Sequence, residues 1–142
     1  MGIAAIRDPY TIAHIDEVIA WARAQTAEKF GASGYELHYS VYGKNGVMGP
    51  MEPVKQPAHE LCIMVQGVAP TAAMAEEVCI TGTRQMFYAR LPEVKGTAGG
   101  VAFPLDEVLH ASAAYRWTLN HTMVVDDPME LFPVHIKTVG QS

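Results

Sequence analysis

Apolar residues recur first at spacings of three and four. Ile12, Ile15, Ile19, Ala22, Thr26 and Phe30 form such a stripe, which predicts one helix from about Pro9 to Phe30. Asp8 is placed to cap it, Pro9 sits where a missing N–H costs nothing, and Gly31 is a natural end. Asp16, Glu17, Arg23 and Lys29 fall largely off the stripe. The period then changes to two. From Tyr35 to Tyr42, Leu37, Tyr39 and Val41 alternate with Glu36, His38, Ser40 and Tyr42, which predicts a strand whose second face meets water or walls a pocket.

A long segment from Gly43 to Ala58 follows, punctuated by Gly43, Gly46, Gly49, Pro50, Pro53 and Pro57. Loops of this length in compact domains usually bind something or pack on a partner. His59 to Val68 reads as a second strand, and its nearly unbroken apolar run Leu61-Cys62-Ile63-Met64-Val65 predicts cover on both faces. Thr71 is the expected cap of a second helix reaching about Arg90, with Met74, Val78, Cys79, Gly82, Met86 and Phe87 inward. Gly82 inside that helix predicts close packing. Residues 95–100 read as a connector, Val101 to Phe103 as a short strand, and Leu105 to Ala114 as either a short helix or a loop. Tyr115 to Val125 is predicted as the last main strand, and Glu130 to Thr138 as an extended edge.

The predicted order is α-β-β-α-β-β. It implies an α+β fold, a mostly antiparallel sheet of four to five strands with two main helices packed on it. The length, 142 residues, fits a single domain over 1–142. Such a chain buries enough surface to fold without disulfides or metal.

Charge narrows the partners. Ten basic against fifteen acidic side chains leave −5, with no basic stripe, which argues against nucleic acid and anionic membranes. No apolar run is long enough to span a bilayer, and the start is too short and too weakly basic for a signal peptide. Gly2 is not followed by the Ser or Thr expected of a myristoylation site. Cys62 and Cys79 both fall in apolar runs and form no C-x-x-C pair, so reduced, buried thiols in a cytoplasmic chain are expected.

Candidate chemistry concentrates in loops and strand ends. Lys44, Asn45 and Gly46, with Glu52, lie where glycine geometry would free backbone N–H groups to hold a carboxylate or phosphate oxygen; the plain alternative is a turn with an exposed lysine. The glycine spacing is not that of a phosphate loop. His59 and Glu60 at a strand mouth suit an acid and a base. They also suit two metal ligands joined by His38 or His121, although no fixed-spacing metal motif is present and a structural histidine is the simpler reading. Gly99 and Gly100 could line a site or act as a hinge. Asn120-His121 within a predicted strand needs partners, whether in a site, a core or an interface. Asp126-Asp127 reads as a turn rather than a cation site. No dinucleotide fingerprint or zinc-finger spacing occurs, and the sequence leaves the cofactor open.

Several short segments, taken in order, resemble a known family. They are Val41-Tyr42-Gly43-Lys44-Asn45-Gly46-Val47-Met48-Gly49, Val68-Ala69-Pro70-Thr71, Ala102-Phe103-Pro104, and Tyr115-Arg116-Trp117-Thr118-Leu119-Asn120-His121 followed by Asp127-Pro128 and Leu131-Phe132. From Tyr35 to about Pro133 the chain resembles the C-terminal region of the acyclic terpene utilisation protein A (AtuA-like) family. That family is associated with bacterial catabolism of branched and other organic acids as acyl-CoA thioesters. Its members carry a large α/β region ahead of this part. The resemblance implies a split enzyme of lyase, hydratase or isomerase type, with this chain as the small subunit beside a larger AtuA-like partner. In that reading Lys44 and the glycine loops hold the anion, and His59 or Glu60 moves a proton. A non-catalytic docking subunit and a free-standing ligand-binding domain are the other two readings.

Overall fold

The computed structural model describes residues 1–93, 100–111, 113–115, 118–119 and 122–140. Strand β1, Gly2–Ile6, leads into helices α1, Pro9–Ala13, and α2, Ile15–Phe30. Strands β2, Glu36–Tyr42, and β3, Leu61–Val68, come next, then helix α3, Ala72–Tyr88, and strand β4, Val101–Ala102. The strands form one antiparallel sheet ordered β2-β3-β1-β4. The fold is therefore α+β, as the period changes predict, with helices packed on an antiparallel sheet. Counting β1, the order is β-α-β-β-α-β, the split arrangement known as ferredoxin-like.

One face of the sheet is buried. Ala4 and Ile6 on β1, Leu37 and Val41 on β2, and Leu61, Ile63 and Val65 on β3 meet Ile15, Val18 and Ala22 of α2 and Val78, Cys79 and Met86 of α3 in one core. The cross-strand register puts Ala4 beside Ile63 and Val41 beside Ile63, so the inner rows line up. The opposite face, with Ile3, Ala5, His38, Ser40, Tyr42, Cys62 and Met64, carries no helix among the described residues. The expected two-sided cover of β3 is thus replaced by cover on one side. Cys62 is exposed, contrary to the expectation of two buried thiols, while Cys79 is buried.

The predicted single helix is broken at His14. Its backbone leaves helical geometry at φ −109° and ψ 22°, and its Nδ1 lies 2.8 Å from the Tyr10 carbonyl oxygen. The ring competes for a carbonyl of the helical ladder, which accounts for the kink. Asp8 caps α1, with its carboxylate accepting from the Thr11 N–H and hydroxyl; those bonds hold its pKa below the ordinary carboxylate value. Thr71 caps α3, accepting from the Met74 N–H.

The described part of Tyr115 to Val125 joins no sheet, and Glu130 to Thr138 begins in a short 3-10 turn, Pro128–Glu130, and then pairs with no strand among the described residues. The alternation there is real, but β1 is already flanked by β3 and β4, and the Leu109 N–H donates to the Met1 carbonyl beyond β4. The segment instead leaves apolar groups in solvent: Tyr115, Val124, Ile136 and Val139 are 88–92% exposed.

Tyr39 ties α3 to the sheet, its hydroxyl donating to the Gly82 carbonyl at 2.9 Å. A Cβ at Gly82 would lie 2.7 Å from a Leu37 methyl, which confirms the close packing expected there. Burial pushes the Tyr39 phenol well above its usual 10, and the nearby Arg23 guanidinium only partly opposes this. Because the folded value is raised, the folded chain keeps a proton that the unfolded chain releases above about pH 10. The stability contribution is whole below that pH and is lost as pH rises toward the folded value. Urea unfolding at about pH 8 and about pH 11 should show a fall for wild type that Tyr39→Phe lacks, with a loss of about 1 kcal/mol in the variant at the lower pH. Equal alkaline loss in both chains would refute the assignment to Tyr39.

Candidate functional site

The long segment after β2 folds into an ordered wall. Gly43 turns the chain at φ +94°, a region that favours glycine. The N–H groups of Lys44, Asn45 and Gly46 all donate to one acceptor, the Val41 carbonyl. The Gly49 N–H then donates to the Asn45 carbonyl, and residues Gly49–Met51 form a 3-10 turn. The amides expected to face a ligand are therefore turned into the loop itself. Any anion-holding capacity here comes from side chains.

The loop returns toward β3 and encloses a cavity of about 240 Å³ against α1. Its apolar floor includes Ile12, Ala13, Ala58 and Leu61, and its polar rim includes Lys44, Asn45, Glu52, Lys55 and Gln56. The rim is internally braced. Glu52 accepts from the Val54 N–H at 3.0 Å, and the Lys55 ammonium donates to the Glu52 carbonyl at 2.7 Å. Lys44 donates to Asp16 of α2 at 2.6 Å. Asp16 falls off the helical stripe, and its local sequence gives no sign of this partner. Only the return of the loop over α2 reveals the pair. With 80% of the Asp16 side chain exposed, such a bridge contributes little, about 0–1 kcal/mol, and an incoming carboxylate can displace it.

The other candidates are distributed as follows. Gly46 lies behind the cavity wall, where a Cβ would stand 2.9 Å from the Tyr42 nitrogen. His59 and Glu60 are exposed in the bend before β3, next to Ala58 and Leu61 but outside the lining, and neither makes a side-chain bond to the described residues. His38 lies on the open sheet face, 3.0 Å from Glu36. Gly100 precedes β4, away from the loop cavity. Gly99, Asn120 and His121 lie outside the described residues. Asp127 caps the 3-10 turn by accepting from the Met129 N–H, as the turn reading expects. Among the described residues no three His, Cys, Asp or Glu side chains gather into a metal-binding cluster, and no helix is long and apolar enough to cross a membrane.

Chemically, two ammonium groups and two amides over an apolar floor suit a small carboxylate with a short apolar substituent, the rim's own carboxylate, Glu52, being engaged by the Val54 N–H. Lys44, Asn45 and Glu52 were legible as candidates from the glycine-rich loop. Lys55 and Gln56 were not singled out, because nothing in their local sequence sets them apart from a solvated loop. Set beside known proteins, the chain matches no family model, no curated protein and no solved structure, so its chemistry rests on these residues alone.

Proposed function

We propose that this chain is the small subunit of a heteromeric cytoplasmic catabolic enzyme of lyase, hydratase or isomerase type, acting on an organic acid or its acyl-CoA thioester. The observation that carries the subunit reading is the apolar C-terminal arm. Leu119, Phe132, Val134 and Ile136 join Tyr115 and Val124 in solvent, a stretch of large side chains that an isolated soluble chain rarely leaves bare. A larger AtuA-like α/β subunit, of the kind the family resemblance implies, would cover it. The loop cavity supplies the acid-binding part, with Lys44 and Lys55 toward the carboxylate. His59 and Glu60, one step outside the lining, would move a proton once a partner or ligand closes the bend over them; His121 and the glycines at 99 and 100 remain candidates for the same shared site.

The alternative is a docking subunit without chemistry, and the same arm favours it equally. Titration of the chain with propionate, followed by NMR, separates the two. A saturable shift centred on residues 43–45 and 55–58, weakened about tenfold by Lys44→Met, supports the acid site. No saturable shift, or one that Lys44→Met leaves unchanged, removes it and leaves docking alone.

A further inference from the structure

A second, larger cleft lies on another side of the molecule and shares no lining residue with the loop cavity. It has a volume of about 640 Å³, within the range of small-molecule sites. The end of β3, the first turns of α3 and residues 108–111 and 113–114 form its walls. Its geometry is held by backbone. The Leu109 N–H donates to the Met1 carbonyl at 2.7 Å, fixing the outer wall along β1. Gly67 lets β3 and α3 approach so closely that a Cβ there would stand 2.7 Å from the Ala75 carbonyl oxygen.

The lining is mostly small and apolar, and its ionisable side chains are Glu76, His110 and Cys79. The Cys79 thiol is already engaged, donating to the Val65 carbonyl. Glu76 Oε1 and His110 Nε2 lie 3.7 Å apart, too far for a hydrogen bond. Neither side chain makes a hydrogen bond to the described residues, and both are partly open to the cleft and solvent. A gap of this width between a carboxylate and an imidazole suits a third polar group that meets both.

We propose that this cleft binds a small, uncharged, mostly apolar molecule bearing one hydroxyl group, an alcohol or a phenol. The hydroxyl donates to Glu76 and accepts from His110, and the apolar body lies between Ala72 and Ala75 on α3 and Ala111 and Ala113 opposite. A hydroxyl is the simplest group that donates and accepts at once. The one further charge on the walls, the Met1 ammonium, already donates to the Leu109 carbonyl at 2.6 Å, so the body needs no charge partner.

Phenol is a suitable probe, with toluene as the same ring lacking the hydroxyl. In an NMR titration of the full chain, phenol should give saturable shifts at residues 66–68, 75–76 and 110–111, and toluene should bind about tenfold more weakly. His110→Ala combined with Glu76→Gln should abolish the preference for phenol while leaving toluene binding in place. Ala111→Trp should remove both ligands, and Ala113→Trp serves if that chain fails to fold. Lys44→Met should leave phenol binding intact, which distinguishes this site from the acid site. Shifts that never saturate, equal affinity for the two probes, or binding that survives both tryptophan variants would overturn the proposal and leave only water between Glu76 and His110.

Discussion

Gly67→Ala is expected to lower stability by about 3 kcal/mol and the midpoint of thermal unfolding by roughly 10 °C. Position 67 lies on β3, a central strand, directly beneath α3. An added methyl would meet the Ala75 carbonyl oxygen at 2.7 Å, the Cys79 Cβ at 2.9 Å and the Cys79 nitrogen at 3.1 Å. These atoms belong to a helix backbone or sit directly on it, so no side chain can rotate away. Either α3 lifts or β3 sags, and the core beneath, including Val65 and Val78, loses contact. The cost is a large share of the 5–15 kcal/mol that holds a typical domain together. Thermal unfolding followed by circular dichroism checks it. A midpoint within about 2 °C of wild type would mean that α3 is not seated as described.

Gly43→Ala should be nearly as harmful, at about 2–3 kcal/mol, for two reasons that can be separated. The first is conformational: φ is +94°, where an L side chain is strained. The second is steric: a Cβ would lie 2.8 Å from the Glu60 carbonyl oxygen and 3.0 Å from a Leu61 methyl. Gly49 provides the comparison, since its φ is also positive, at +57°, but a Cβ there meets nothing within 4 Å. Gly49→Ala should therefore show the conformational cost alone, about 1 kcal/mol. The difference between the two variants in urea unfolding measures the contact that joins the start of the loop to its end. Gly43→Ala should also weaken propionate binding if the loop cavity is the acid site, because that contact fixes the distance between its walls. Equal losses at positions 43 and 49 would show that the loop is not closed against β3.

Local pattern carried much of this fold. The stripe from Ile12 to Phe30 specifies helix, though not its break at His14, and the alternation from Glu36 to Tyr42 and the cap at Thr71 each specify an element without reference to the rest of the chain. Glycine at 82 announced close packing because a helix interior tolerates it poorly. What failed did so for a shared reason. Gly2–Ile6 has two alanines and one glycine among its five residues, little intrinsic strand preference, and becomes a strand because β3 and β4 pair on either side of it. Conversely, the segment after Tyr115 alternates convincingly, yet its described residues find no sheet neighbour. Strand formation depends on an available edge, which local sequence does not report.

The candidate site divides along the same line. Lys44 and Asn45 stood out because glycines and prolines around them demanded an unusual path. Whether the freed amides would face a ligand was beyond the sequence, since their acceptor, the Val41 carbonyl, is chosen by how the turn closes. Asp16 is 28 residues from Lys44, and Glu76 lies far along the chain from His110. By itself the sequence determined the helices, two of the principal strands and the loop rich in glycine and proline, because those follow from periods and dihedral preferences within a few residues. The tertiary structure alone decided the first strand, the open sheet face, the bare arm and both of these side-chain pairings, because each depends on surfaces that meet only after the chain has folded back on itself.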